Sequence, residues 1–239
     1  MLLKLSDPKA FSDAMGIMSE LVNELRIKVN KNGLSAVAVD PANVALVSLK
    51  LPHSAFTQLE SEEEEICVNL EDLKQVLRRA HSGSSLILEK KENKLVISIQ
   101  DTVKRSFTLS LINIEGEEKQ VPNLEFESKD LMPSTLFQHA IEDARIVSDS
   151  CTLNTNDKCF SIEARGNLNT SLTEFNSDEA KFSGEGKSKY SLEYLQKFVK
   201  GGKLAEKVYL QYKTDYPLRV DFLGNVELTF ILAPRVEEE

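Results

Sequence analysis

The chain has 239 residues, long enough to bury a sizeable core in one or two domains. Its 41 % hydrophobic and 28 % charged residues are ordinary for a soluble globular protein, and no apolar run approaches the roughly 18 residues of a membrane-spanning helix. A net charge of −9 argues against a surface that grips nucleic acid everywhere and leaves room for a local basic patch on an acidic body.

Ser6-Asp7-Pro8 reads as a helix start, a capping Ser or Asp followed by Pro at the first helical position. Phe11, Met15, Met18 and Val22 recur at helical spacing and predict one apolar face through about residue 22. The opposite face, with Lys9, Ser12, Asp13, Gly16, Ser19 and Glu20, is small and polar rather than basic. Alternation at Leu25, Ile27 and Val29, a turn at Asn32-Gly33 and a return over residues 34–39 predict a hairpin. Asp40-Pro41 turns again, and residues 44–51 read as a nearly continuous apolar strand. The acidic run 62–65 reads as a solvated loop. After a strand at 66–68, Asn69 caps a second helix with Asp72 three residues on, and Leu70, Leu73, Val76, Leu77 and Ala80 face inward. Strands at 86–89, 95–99 and 106–112, the first two joined by a Lys-Lys-Glu-Asn turn, complete the half.

The same order then repeats. Pro133 opens a third helix, with Leu136, Phe137, Ala140, Ile141, Ala144 and Val147 on one face. Strands follow at 151–155, 159–164 and 169–175. Ser191 caps a fourth helix, Leu192, Leu195, Phe198 and Val199 point inward, and Gly201-Gly202 ends it. The last strands lie at 208–212, 218–222 and 226–232. Such self-similarity predicts a duplicated α+β domain. The expected division is 1–113, a connector at 114–127, and 128–239. In the connector, residues 115–120 are polar and include Gly116, which predicts a solvated, extended chain. Val121, Pro122, Leu124 and Phe126 then put apolar side chains into an acidic segment. They are either tacked to the nearest surface or form one wall of a partner-binding groove.

Motifs for catalysis are missing from the sequence. His53, His81 and His139 are isolated, with no paired ligand at helical spacing, so no metal and no cofactor is expected. Gly184, Gly186, Lys187 and Ser188 resemble the end of a phosphate-binding loop, but Lys181 stands where its first Gly belongs. No nucleophile arrangement stands out, and the carboxylates are scattered over turns and helix starts, so an enzyme is not expected. Cys67, Cys151 and Cys159 are odd in number and lack a CxxC, and each reads as a small buried hydrophobe. The N-terminus lacks the long apolar core of a signal peptide, which predicts an intracellular protein.

Several stretches, running nearly end to end, carry a resemblance: SDPKAFSDAMGIMSELVNE, NKNGLSAVAVDPANVALVSLKL, NLEDLKQVLRRA, VPNLEF in the connector, DYPLRVDFLGN and the terminal LAPRVEEE. The sequence resembles the DNA sliding clamp family, the archaeal and eukaryotic proliferating cell nuclear antigen. The resemblance implies a duplicated two-domain clamp fold with antiparallel sheets outside and four helices lining the inside of a trimeric ring. Ring closure would pair Ser106, Phe107, Thr108, Leu109, Ser110 and Leu111 of one chain with Asn169, Thr170, Ser171, Leu172, Thr173, Glu174 and Phe175 of the next. That pairing would consume two otherwise sticky sheet edges.

An acidic ring can hold double-stranded DNA by encircling it, with only its inner helix faces basic. The resemblance makes Lys9, Lys74, Arg78, Arg79, Arg145, Lys197, Lys200 and Lys203 the DNA-facing candidates. Cations late in a helix also complement its dipole, at about 0.3–1 kcal/mol each, and this alone could account for Arg79 or Lys200. Asp13, Glu20, Glu142 and Asp143 make the first and third helices less basic than the family pattern. The implied partners are DNA polymerase, clamp loader, flap endonuclease, DNA ligase and similar proteins that insert a Gln, an aliphatic and two aromatic residues into a groove. Here that groove would be built from Val39, Asn43, Val44, Leu46, Val121, Pro122, Leu124, Phe126, Pro217, Ile231, Ala233 and Pro234. Asn43 stands where the best-known relatives have His, and Ile231 where they have an aromatic residue. A subunit of a heteromeric checkpoint-type clamp, a metal-dependent nuclease and a static DNA-binding protein are the other readings, and no membrane partner is implied.

Overall fold

The fold rests on a run of short strands whose side chains alternate between core and surface, interrupted in each half by two helices. In the computed structural model, which describes residues 1–81 and 83–236, the chain divides into two compact units. One takes residues 1–41, 47–121 and 225–228, the other 42–46, 122–224 and 229–239.

The first unit runs β1 (Leu2–Leu5), α1 (Lys9–Met18), β2 (Glu24–Asn30), β3 (Gly33–Val39), β4 (Ala45–Pro52), a 3-10 turn at His53–Ala55, β5 (Gln58–Glu60), β6 (Glu63–Asn69), α2 (Leu70–Leu77), β7 (Ser85–Lys91), β8 (Lys94–Gln100) and β9 (Lys104–Ser110). They form two antiparallel runs, β5-β1-β7-β8-β9 and β4-β3-β2-β6. In β2 the alternation is strict: Leu25, Ile27 and Val29 are buried, and the residues between them are not. The β2–β3 turn requires its glycine, since Gly33 has φ +136° and a Cβ there would lie 2.0 Å from the Leu51 carbonyl oxygen. Asn69 caps α2 as expected, its side-chain oxygen accepting from the backbone N–H groups of Glu71 and Asp72 at 3.0 and 3.1 Å.

Two expectations for this unit change. The first helix ends at Met18 rather than near residue 22, where Ser19 Oγ donates to the Gly16 carbonyl at 2.7 Å and the chain leaves in tight turns. Leu21 and Val22 are still buried, but from a turn. The acidic run is not a loop: Glu63, Glu64 and Glu65 begin β6, paired with Asn30, Val29 and Lys28 of β2. The charges are tolerated in a strand because cations reach them, Lys90 Nζ at 3.2 Å from Glu64 and Arg26 Nε at 3.2 Å from Glu65.

The second unit runs β10 (Ser128–Pro133), α3 (Ser134–Val147), β11 (Ser150–Thr155), β12 (Phe160–Arg165), β13 (Thr170–Phe175), β14 (Lys181–Ser183), β15 (Gly186–Ser191), α4 (Leu192–Phe198) with a 3-10 turn at Val199–Lys203, β16 (Lys207–Tyr212), β17 (Leu218–Leu223) and β18 (Glu227–Leu232). Its runs are β14-β10-β16-β17-β18 and β13-β12-β11-β15. Element for element this is the order of the first unit: strand, helix, five strands, helix, three strands. Its core is the more aromatic one, with Phe198 stacked on Phe230 at 4.3 Å and Phe222 edge-on to Phe230 at 6.3 Å. Gly201 is small because a Cβ there would lie 2.4 Å from the Phe222 ring.

Ser191 stands at the N-cap of α4, but its hydroxyl makes no cap bond. Gly186, Lys187 and Ser188 lie inside the regular strand β15, which runs straight into α4 with no glycine-rich loop between them. Cys67 and Cys151 are buried, whereas Cys159 is only half-buried and sits just before β12. No helix among the described residues is long and apolar enough to cross a membrane.

Candidate functional site

The residues expected to carry function fall into three sets. The first set is the helix cations. Lys9 Nζ lies 2.7 Å from Asp13, a hydrogen bond that raises the lysine's pKa, and Lys74 Nζ lies 3.1 Å from Glu71, holding that carboxyl below its ordinary range. Lys197 lies 3.4 Å from Glu193 and 5.1 Å over the Tyr194 ring. These are i,i+3 and i,i+4 pairs at the surface, weakened by solvent, so an incoming anion meets little competition from the carboxylate. Arg78 and Arg79 are exposed at the end of α2, where the Arg79 carbonyl accepts from Arg105 Nη1 at 3.1 Å. Arg145 Nη1 donates to the Ser148 carbonyl at 3.3 Å, closing the C-terminus of α3. Lys200 and Lys203 are exposed on the turn after α4.

The second set is the pair of strands β9 and β13. Each ends its run, with β8 and β12 as neighbours on the inner side. Interior strands bury their apolar residues, but here Phe107 and Leu109 are half-buried and Leu172 is 59 % exposed. Phe175 alone is tucked in, stacked on Phe160 at 5.5 Å. Leu111 falls just beyond β9, its N–H bonded to the Asn93 carbonyl at 2.9 Å, and Asn169 just before β13 in the turn that closes on Gly166. These are open edges with unspent backbone groups.

The third set is the expected groove. Ten of its twelve residues, Asn43, Val44, Leu46, Pro122, Leu124, Phe126, Pro217, Ile231, Ala233 and Pro234, belong to the second unit, whereas Val39 and Val121 belong to the first. Asn43 is exposed with φ 57°, a left-handed turn position that Asn tolerates. The turn brings Val44 to the chain end, where its carbonyl accepts from Ala233 N–H at 2.9 Å. Val44, Leu46, Leu124, Phe126, Pro217, Ala233 and Pro234 are half-buried and Pro122 is exposed, but Ile231 is only 7 % exposed and belongs chiefly to the core. Phe126 meets Tyr216 edge-on at 6.2 Å. The sequence reading missed Tyr216, although it directly precedes Pro217.

The polar start of the connector is held more firmly than its composition predicts. Arg26 on β2 donates through Nη2 to the carbonyls of Ile114 at 2.6 Å and Gly116 at 3.3 Å, and Lys28 Nζ lies 2.5 Å from Glu118. Together with Val37 and Val39 of β3, Arg26, Lys28, Ile114 and Glu118 line a cleft of about 400 Å³ within the first unit.

A buried polar cluster in the second unit also escaped notice. Asp130 is fully buried; its Oδ2 accepts from Thr155 Oγ1 at 2.9 Å and from Ser128 Oγ at 3.3 Å, while Oδ1 has no partner among the described residues. Thr155 Oγ1 also lies 2.6 Å from Tyr212 Oη. Burial without a cation pushes the Asp130 carboxyl up to about 7 and also raises the Tyr212 hydroxyl. No set of three or more His, Cys, Asp or Glu side chains that could hold a metal ion occurs among the described residues.

Comparison with known proteins covers both units. Residues 2–120 match the proliferating cell nuclear antigen N-terminal domain, and residues 120–236 its C-terminal domain. A curated "DNA polymerase sliding clamp" of Thermococcus gammatolerans is 37 % identical over 239 residues, covering 96 % of each chain. The crystal structure of the proliferating cell nuclear antigen of Thermococcus kodakaraensis superposes with a TM-score of 0.92 at 26 % identity, covering 98 % of this chain and 99 % of that one. A second solved structure, the A. fulgidus antigen with the C-terminal region of FEN-1 bound, gives 0.91 at 28 %, covering 100 % and 99 %.

Proposed function

This chain belongs to the proliferating cell nuclear antigen family, and we infer from that membership that it works as a DNA sliding clamp. It encircles duplex DNA and tethers DNA polymerase and other replication and repair enzymes, flap endonuclease among them. The observation that carries this reading is the match to sliding clamps over essentially the whole chain, in sequence and in fold. It favours the replicative clamp over a checkpoint-type subunit. The clamp acts inside the cell as a non-enzymatic processivity factor, and the nuclease and static-binder readings are set aside with it.

The proposed ring is a trimer of about 80 kDa, three chains of 26.8 kDa. It closes through β9 of one chain and β13 of the next, since two unlike open edges that pair head to tail make a ring when the rotation from chain to chain closes, and a closed ring leaves neither edge exposed. Arg78 and Arg79, with Lys74, Lys200 and Lys203, are the proposed cations on the DNA side. Their contacts are to phosphate and read no sequence.

Encirclement has a direct test. Clamp loaded on closed circular DNA is expected to survive a salt wash that strips ordinary electrostatic binders, and to leave once the circle is cut. The Lys74→Glu, Arg78→Glu variant is expected to keep its fold but lose loading efficiency and polymerase processivity. Equal retention on linear and circular DNA would overturn the reading.

Partner motifs are proposed to seat their apolar residues against Val44, Leu46, Leu124 and Phe126. A buried anchor at an interface contributes about 2 kcal/mol or more. Val44→Glu and Phe126→Ala are each expected to weaken binding of a motif peptide at least tenfold by calorimetry, with trimerisation intact. Unchanged affinity in both variants would reduce the connector to a plain linker.

A further inference from the structure

Beside Phe126, the proposed groove meets an aromatic residue with a cation laid over it. Tyr216 is half-buried, and its backbone carbonyl accepts from Tyr190 Oη at 2.7 Å. The preceding residue, Asp215, has φ 50°, and its N–H donates to the Lys187 carbonyl at 3.3 Å, so the turn that presents the ring is tied to β15. Lys213 Nζ sits 4.0 Å from the centre of the Tyr216 ring. An ammonium over an aromatic face is attracted by the ring quadrupole yet keeps its three N–H donors for another partner.

The segments bonded to this turn carry further cations. Lys187 and Lys189 lie on β15, and Arg235, whose N–H donates to the Lys189 carbonyl at 2.7 Å, follows Ala233 and Pro234. Arg235 is paired with Asp149 at 3.1 Å, whereas the Lys213 ammonium rests on a ring. On a chain of net charge −9, four cations thus lie on the Tyr216 turn, on the strand it is bonded to and on the chain end bonded to that strand.

We propose that Tyr216 and Lys213 form a charge-reading lip on the partner groove, selecting motifs that carry an Asp or Glu next to their aromatic residues. The proposal rests on the groove reading and names its specificity. Apolar anchors alone separate similar motifs poorly, whereas electrostatic complementarity fixes register and rejects wrong partners. A lysine already held by a ring gives up less rotamer freedom on meeting a carboxylate than a free one would.

Three peptides test it by calorimetry: the motif with Asp on the N-terminal side of its aromatic pair, with Asp on the C-terminal side, and with Asn at both places. One Asp peptide is expected to bind the wild type about three- to tenfold tighter than the Asn peptide, with the advantage shrinking as salt is added. Lys213→Ala is expected to erase that advantage while leaving the Asn peptide unchanged, and Tyr216→Leu to reduce it. The proposal is overturned if neither Asp peptide gains over Asn, or if the gain survives in Lys213→Ala. Val44→Glu separates the two levels. It should abolish binding of all three peptides, and if it leaves all three unchanged, the groove reading itself fails whatever Lys213 does.

Discussion

The Asp130→Asn variant is expected to be more stable than the wild type at pH 8 and about 1–2 kcal/mol less stable near pH 4. The wild-type carboxyl is fully buried, accepts from Thr155 and Ser128, has a second oxygen without a partner, and has its pKa raised by burial to about 7. An unfolded Asp ionises near 3.9. Below that pH both states hold the proton and the group costs nothing. Between about 4 and 7 the unfolded chain releases its proton first, so stability falls as pH rises, and above 7 the loss levels off. A shift of about three units corresponds to ~4 kcal/mol. The amide keeps an acceptor for the Thr155 hydroxyl but buries N–H donors, at a cost of ~1–2 kcal/mol, leaving a gain of ~2–3 kcal/mol at pH 8. Urea unfolding across this range checks it. Parallel pH profiles for the two proteins would mean that Asp130 is ionised or solvated in the fold.

Leu172→Asp is expected to convert the proposed trimer into a monomer. Leu172 is 59 % exposed on β13, an open edge in the isolated chain. Ring closure would bury it, and a lone carboxylate buried at an interface costs roughly 3–5 kcal/mol, a factor of at least ~10² in association. Light scattering should then report 26.8 kDa in place of about 80 kDa. The clamp should also fall off circular DNA as readily as linear DNA, yet bind the motif peptide normally, because β13 takes no part in the groove. A trimer of undiminished stability would move the closing contact elsewhere.

What could be read from the sequence was whatever local chemistry decides. The Asn32-Gly33 turn, the Asn69 cap and the alternation of Leu25, Ile27 and Val29 each act within a few residues, and each stands in the structure. Strands fixed by distant partners escaped. β1 has only Leu3 and Leu5 to show a pattern, and β15 alternates Lys with Ser and Tyr, so neither announces its burial. The acidic start of β6 read as loop because its compensating cations, Arg26 and Lys90, lie on other strands. At the candidate sites the apolar groove residues were legible as misfits in a polar connector. Asp130 was not, because a carboxylate beside Lys129 looks like surface until its neighbours are known. Tyr216 went unremarked for a similar reason, since its contacts with Phe126 and Lys213 depend on how the turn at Asp215 folds back.

Arg26 holds the connector through the carbonyl oxygens of Ile114 and Gly116, groups that every residue possesses. Such an anchor is indifferent to the side chains it tethers. Residues 115, 117 and 119 can therefore change without the segment coming loose, while Gly116, at φ 98°, Glu118, paired with Lys28, and Arg26 itself cannot. A lysine there would keep the charge but could not reach Glu65 through one nitrogen and the two carbonyls through another, as Arg26 does with Nε and Nη2. The tether thus separates attachment from identity at residues 115, 117 and 119, whose side chains can be exchanged one at a time without passing through a detached intermediate.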